Sequence, residues 1–337
     1  GPQGYHMNSW STTLLLPNIL LFIGGLALLI KGSDGFIEGA SAIARRYGLP
    51  DVLIGLTLVS IGTSLPEFAT NMCAALNGHS AMALGNATGS NISNVLLVLG
   101  GSLILLRRIP VTRLFLARDV TVMVGVYAVF AVMCYCFPTG EARITRWEGL
   151  LLLAGFVAYV AVLLLRDRGA DAPPPTPTRT YRPGRAAFAI VLGAAAVVGG
   201  ARLMVDNVAW AAREALSGED PGQTEAIIAA TVVALGTSLP ELAVTLAGVL
   251  KKKDDIALGN IIGSNIFNLV FVMGATATVR PTLLNPQAAT VLVPTMLASG
   301  LVLLVLMRTG WELVRWEGYV LLLGYVAFMA HNVMQLF

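Results

Sequence analysis

Residues 62–67 read GTSLPE, and residues 236–241 read GTSLPE again. Residues 85–94, GNATGSNISN, are echoed in the same way by GNIIGSNIFN at 259–268. Both pairs are offset by 174 residues, so the 23-residue spacing between the two blocks is kept in each copy. A shorter echo, RWEG at 146–149 and at 315–318, opens the last apolar segment of each half. The chain is internally duplicated.

Outward from these blocks the sequence is apolar. Runs fall at about 13–31, 49–76, 81–106, 117–137 and 147–165, then at about 186–206, 223–250, 255–278, 286–307 and 316–336. The 337 residues are 56% hydrophobic and 12% charged, with a mean hydropathy of +0.75. A soluble domain carries about 25% charged residues. A chain with half that supply cannot cover a water-facing surface, which excludes a soluble enzyme, a nucleic-acid binder and a disordered protein. At about 20 residues per membrane helix, ten runs make ten spans.

The segment 166–185, RDRGADAPPPTPTRTYRPGR, is a proline-rich linker that divides the spans five and five. Because five is odd, the second half enters the membrane from the opposite side. The expected fold is an all-α polytopic membrane protein with ten transmembrane helices in two inverted five-helix repeats, 7–165 and 186–337. Residues 1–6, GPQGYH, read as a cloning scar before Met7. With the amino terminus outside, 17 of the 22 Lys and Arg residues fall on the cytoplasmic side. The expectation is a plasma (inner) membrane protein with both termini outside and the linker 166–185 cytoplasmic. Trp147, Trp311 and Trp316 fall at span ends as interfacial anchors. Lys251, Lys252, Lys253, Asp254 and Asp255 read as a solvated loop. Cys73, Cys134 and Cys136 read as packing residues, and His6, His79 and His331 form no ligand cluster.

Each GTSLPE lies mid-span. Gly62 with Pro66, and Gly236 with Pro240, weaken the helix, and a proline removes one amide bond. Carbonyls near Ser60 and Thr63, and near Ala234 and Thr237, are expected to be freed, which a bilayer tolerates only where they line a cavity. Glu67 and Glu241 are the centre of the reading. A charge at mid-bilayer costs at least about 2.5–3.5 kcal/mol and marks function. Two carboxylates at equivalent positions should converge where the halves meet, and a bridging cation would relieve their repulsion. With the hydroxyls of Thr63, Ser64, Thr237 and Ser238 they make an all-oxygen set, which suits Ca²⁺ or Na⁺ and argues against Zn²⁺ or Cu⁺. The second block adds Asn86, Ser90, Asn91 and Asn94, repeated as Asn260, Ser264, Asn265 and Asn268. Of these, Ser90, Asn94, Ser264 and Asn268 are the better candidates for cation contact. Gly85, Gly89, Gly259 and Gly263 allow close helix approach.

These blocks resemble the α-repeats of the sodium/calcium exchanger family, within the cation/Ca²⁺ antiporter superfamily, over about 24–100 and 198–275. The stretch GSDGFIEGASAIARRYGLPDVLIGLTLVSIGTSLPE is especially similar to prokaryotic members. The resemblance implies Ca²⁺ held by Glu67, Glu241 and the Thr63 and Thr237 carbonyls. It implies one flanking Na⁺ site of Ser60, Thr63, Ser64, Ser90 and Glu241, and a mirror site of Ala234, Thr237, Ser238, Ser264 and Glu67. Asn94 and Asn268 would line the middle position. Some prokaryotic members carry Asp where this chain has Asn268, so two intramembrane carboxylates stand here instead of three. The resemblance also implies that spans one and six slide against the other eight, with Gly24, Gly25, Gly32, Gly193, Gly199 and Gly200 smoothing the contact.

The reading that follows is a secondary antiporter exchanging Na⁺ for Ca²⁺ by alternating access, electrogenic and extruding Ca²⁺. It is not an enzyme and needs no cofactor; Ca²⁺, Na⁺ and the lipid bilayer are its partners, with no nucleic acid, and a monomer is the expected assembly. The alternatives are a H⁺/Ca²⁺ antiporter and, in another class, a cation channel. An intramembrane metalloprotease would need H-E-x-x-H, which is absent from the sequence.

Overall fold

The computed structural model describes residues 9–46, 60–106, 108–111, 113, 116–136, 143–166, 183–211, 221–250, 254–284 and 286–335. The proposed scar at 1–6, the start of the second apolar run, the linker interior, Lys251–Lys253 and the Ser60 side chain lie outside that description. Nearly all of the described chain is helical. In the first half the helices are α1 (Ser9–Arg46), α2 (Ser60–Thr63), α3 (Leu65–Asn77), α4 (Ser80–Ser93), α5 (Gly100–Leu106), α6 (Thr121–Cys136) and α7 (Arg146–Arg166). In the second they are α8 (Pro183–Trp210), α9 (Pro221–Ile228), α10 (Ala234–Thr237), α11 (Leu239–Leu250), α12 (Asp254–Phe267), α13 (Gly274–Val279), α14 (Pro286–Gly310) and α15 (Arg315–Met334). Short π-helical turns join several of them: Asn94–Leu99 links α4 to α5, Ala229–Val233 links α9 to α10, and Asn268–Met273 links α12 to α13.

A chain this apolar must satisfy its backbone within each segment, and helices do so. Seven helical stretches among the described residues are long and apolar enough to cross a membrane: Leu16–Phe36, Ser80–Leu105, Leu116–Tyr135, Gly184–Trp210, Gly222–Leu246, Ala257–Val279 and Ala289–Gly310. Outward-facing Leu20, Val157, Val191, Leu192, Leu323 and Val326 make an apolar exterior of the kind lipid covers. The protein is a multi-pass membrane protein.

Contacts between the halves fix the relative direction of several helices. Gly25 meets Gly200, Gly32 meets Gly193 and Gly39 meets Ala186, so α1 and α8 run antiparallel along their length. A Cβ on Gly32 would stand 2.8 Å from the Gly193 carbonyl oxygen, so only glycine permits this approach. Of the glycines assigned to this seam, Gly24 and Gly199 have open space around them and take no part. Tyr127 packs on Gly300 while the Tyr135 hydroxyl donates to the Ala289 carbonyl (2.6 Å), which makes α6 and α14 antiparallel as well. By contrast Gly85 touches Ala226 and Gly89 touches Ala230, so α4 runs parallel to the helix that begins as α9. Side chains at either glycine would collide with those carbonyls. Gly259, the counterpart of Gly85, has nothing within 4 Å among the described residues; residue 52, the counterpart of Ala226, lies outside the description.

Two short ribbons cross between the halves. β1 (Arg108–Pro110) pairs antiparallel with β4 (Glu312–Val314), and β2 (Arg143–Ile144) with β3 (Thr282–Leu283). At the start of α4, His79 Nδ1 lies 3.0 and 3.1 Å from the two carboxylate oxygens of Glu225 on α9, both side chains largely buried. The main core joins α4 and α12 with α6 and α14, around Ile92, Leu99, Met123, Tyr127, Leu269 and Met296. Cys73 and Cys134 are free thiols, partly buried and buried, as packing residues should be.

Candidate functional site

The repeated GTSLPE motif breaks its helix at the serine in both halves. Ser64 separates α2 from α3 with φ −91° and ψ 7°, and Ser238 separates α10 from α11 with φ −84° and ψ 2°. Pro66 then sits at the second position of α3, where its missing N–H costs nothing, and Pro240 does the same in α11. The break therefore places Glu67 and Glu241 in the first turn of a helix, where the amide ends favour negative charge. One carbonyl expected to be freed is not bare: Ala234 O accepts the Ser238 amide at 3.0 Å, while the single Thr237 hydroxyl is shared among Ala234 O at 3.4 Å and Asn86 Oδ1 and Ser90 Oγ at 3.3 Å. This is the helical bond from residue i to i−4, so the helix holds through the Ser238 amide and breaks only after it.

Glu67 and Glu241 are both fully buried. Ser64 Oγ donates to Glu241 Oε1 at 3.0 Å, and Ser238 Oγ donates to Glu67 Oε1 at 3.5 Å. Each half's broken serine thus serves the other half's glutamate. Thr63 and Ser264 also lie against Glu241, while Thr237 and Ser90 lie against Glu67. The second carboxylate oxygens, Glu67 Oε2 and Glu241 Oε2, are buried with no hydrogen-bond partner among the described residues. Neither glutamate has an ion pair there, and no three His, Cys, Asp or Glu side chains cluster. Two buried carboxylates with unfilled oxygens and no cationic neighbour are an expensive arrangement unless a cation joins them.

Ser90 and Ser264 are exchanged relative to the grouping expected from the sequence. Ser90 Oγ lies 3.3 Å from Thr237 Oγ1, so it joins Ala234, Thr237, Ser238 and Glu67. Ser264 instead joins Thr63, Ser64 and Glu241. The cause is the parallel packing of α4 beside α9 through Gly85 and Gly89, which delivers Ser90 to the neighbouring Thr237.

Asparagines from both halves interlock behind these groups. Asn94 Nδ2 donates to Asn265 Oδ1 and Asn268 Nδ2 donates to Asn91 Oδ1, each at 3.1 Å. Asn91 Nδ2 donates to the Asn265 carbonyl at 3.2 Å. All four are fully buried, and Asn94 Oδ1 and Asn268 Oδ1 have no partner among the described residues. Asn94 and Asn268 each open a π-helical turn, a wide turn that often marks functional positions. A further set steadies the glutamate helices: Asn86 Nδ2 donates to Asn71 Oδ1 at 2.7 Å, and Asn260 Nδ2 reaches the Glu241 carbonyl at 3.4 Å. Asn71 and the π turns escaped the sequence reading; the apolar string Asn94–Leu99, NVLLVL, carries no local sign of a widened turn.

The residues next to Glu67 and Asn268 in the chain, Phe68 and Phe267, join an aromatic group. Phe267 stacks on Phe271 at 4.7 Å between ring centres, and Phe68 and Phe156 close on Phe271 at 5.4 and 5.0 Å. The positions offset by 174 from Phe68, Phe267 and Phe271 are Leu242, Ser93 and Leu97, so the two halves are not lined alike here.

The chain matches the family described as "Sodium/calcium exchanger protein" twice, over residues 17–165 and 185–334. It is 37% identical over 330 residues to the putative antiporter CaxA of Alkalimonas amylolytica, covering 94% of this chain and 98% of that protein. It is 34% identical over 355 residues to the sodium/calcium exchanger MaX1 of Methanosarcina acetivorans, again covering 94% and 98%. Among solved structures it is similar to the sodium-calcium exchanger NCX_Mj soaked with Na⁺ and Sr²⁺, with a TM-score of 0.62, 29% identity, and coverage of 94% of this chain and 98% of that one. The chain belongs to the sodium/calcium exchanger family, a family of antiporters.

Proposed function

We propose that this protein exchanges Na⁺ for Ca²⁺ at one site shared between its halves, by alternating access. The observation that carries the reading is the crossed pair of contacts, Ser64 to Glu241 and Ser238 to Glu67, with the outer oxygen of each glutamate left unpartnered. Glu67 and Glu241 together balance one Ca²⁺, assisted by the Thr63 and Thr237 carbonyls. Na⁺ takes two flanking oxygen sets: Glu67 with Ala234, Thr237, Ser238 and Ser90, and Glu241 with Ser60, Thr63, Ser64 and Ser264. Asn94 and Asn268 line the position between them. Because the same two carboxylates serve both ions, occupancy by one excludes the other, and exchange is coupled. Ala234 O, which already accepts the Ser238 amide, joins its set through its second lone pair.

The architecture belongs to the same proposal: ten spans in two inverted repeats, with both termini outside and the linker in the cytoplasm. The antiparallel pairing of α1 with α8 and of α6 with α14 supports inversion, because helices at equivalent places in the two halves point in opposite directions. Helices α7 and α15, 21 and 20 residues long, are of spanning length and end their halves. The glycine seam of α1 and α8 supports their sliding as a pair against the remaining core. If three Na⁺ enter per Ca²⁺ leaving, one net charge crosses each cycle, worth about 2.3 kcal/mol per 100 mV, and a negative interior favours Ca²⁺ extrusion.

The test is Ca²⁺ flux in proteoliposomes driven by a Na⁺ gradient, for the native protein beside Glu67→Gln and Glu241→Gln. Each change should abolish coupled flux, and a pH gradient alone should drive none. Flux that follows the pH gradient and ignores Na⁺ would make the protein a H⁺/Ca²⁺ antiporter; flux without any counter-ion would make it a channel.

A further inference from the structure

The amides of Asn94 and Asn268 have a direction, and two methionines set it. A thioether accepts hydrogen bonds and never donates one. Asn91 Nδ2 lies 3.7 Å from Met296 Sδ and 3.2 Å from the Asn265 carbonyl oxygen, both of them acceptors. The NH₂ of Asn91 must face that side, which turns Asn91 Oδ1 the other way, onto Asn268 Nδ2 at 3.1 Å. Asn268 then has only its oxygen left to present. A second chain of contacts runs in the mirrored sense. Asn265 Nδ2 lies 3.7 Å from Met123 Sδ, and Asn265 Oδ1 accepts Asn94 Nδ2 at 3.1 Å, leaving Asn94 Oδ1 at the end. Both terminal oxygens are the buried, unpartnered ones. Met123 and Met296 sit in the apolar core on α6 and α14, outside the repeated motifs in sequence but packed against their asparagines.

An amide that could turn over would bring two N–H groups with partial positive charge into the centre. One held by its nitrogen brings a carbonyl oxygen and nothing else. We propose that Asn91 with Met296, and Asn265 with Met123, are positioning residues that fix the polarity of Asn268 and Asn94, so that the centre between Glu67 and Glu241 meets two neutral acceptor oxygens and no donor. The inference rests on the ion-exchange reading of the site. It assigns to an uncharged middle position a selectivity for cations that its residue types alone do not guarantee.

The experiment is a double-mutant cycle between Asn91→Leu and Asn268→Asp, read as the Na⁺ and Ca²⁺ midpoints for thermal stabilisation of the purified protein. Asn91→Leu in the native background should raise the Na⁺ midpoint about tenfold or more, as loss of a group that orients a metal ligand does. In the Asn268→Asp background the same change should cost under about threefold, because a carboxylate has two like oxygens and no wrong end. Equal losses in both backgrounds would mean that Asn91 only stitches helices, and would overturn the proposal. Should Asn91→Leu fail to fold, Met296→Leu keeps the volume and removes only the acceptor. It should give about a threefold loss against Asn268 and none against Asp at that position, and equal loss in both is again the refuting result. Absent Na⁺-driven Ca²⁺ flux in the native protein would defeat the exchange reading, whereas the midpoints report the amide polarity whether or not transport occurs.

Discussion

Ser64 and Glu241 stand 177 residues apart in the chain and 3.0 Å apart in space, joined by a hydroxyl that donates across the two halves to a buried carboxylate. A hydrogen bond to a charged group contributes about 1.5–3 kcal/mol. Ser64→Ala should therefore raise the Na⁺ concentration for half-maximal Ca²⁺ exchange by about tenfold or more. The reciprocal contact, Ser238 to Glu67, is 3.5 Å, at the edge of hydrogen bonding. Ser238→Ala should cost less, about threefold, and Na⁺-dependence curves for the two variants side by side would read the difference. Equal effects would show that the two contacts are equivalent when ions are bound.

The seam between α1 and α8 admits no side chain at Gly32. Gly32→Leu, whose Cβ alone would sit 2.8 Å from the Gly193 carbonyl, should slow exchange at least about tenfold. Ion binding, read as thermal stabilisation by Ca²⁺, should be retained, since no site residue lies on this seam. Gly24→Leu is the control: it has open space around it and should exchange at the native rate.

The charge asymmetry of the loops predicts the side on which the linker lies. In a protein with Cys73, Cys134 and Cys136 replaced by Ala, Thr176→Cys should resist a membrane-impermeant thiol reagent in right-side-out vesicles and react in inverted ones. Labelling from outside would reverse the topology and the direction assigned to transport.

His79 and Glu225 tie the start of α4 to α9 at 3.0 Å. Removing one partner of this pair, as in Glu225→Gln, should lower unfolding free energy by about 1–3 kcal/mol. The measurement is thermal unfolding in detergent. The Na⁺ midpoint of the folded protein should not move, because neither side chain belongs to the ion-facing set.

Much of the centre could be read from the chain because its signal is doubled. Two glutamates at one offset, each behind a Gly-x-x-x-Pro break, needed no structure to be paired, and the structure buries both and crosses them with Ser64 and Ser238. What could not be read depends on neighbours in space. Ser90 and Ser264 change places because α4 packs beside α9, a fact of helix order that no motif encodes. Ala234 O is occupied because the Ser238 amide keeps the ordinary helical bond four residues back, the break coming one residue later than the motif suggests. Met123 and Met296 lie among ordinary core residues and acquire meaning only from the amides beside them.

The widened turns at Asn94–Leu99 and Asn268–Met273 begin at positions 174 residues apart, the same interval that separates the two glutamates. A π turn is wider than the α-helical turn it replaces, and such single wide turns gather at functional positions. The side chains that follow differ between the copies, VLLVL in one and LVFVM in the other, yet the helix widens at the same place in both. With different residues behind it in each copy, the widening goes with the asparagine that opens it, Asn94 or Asn268, and not with the apolar string that follows.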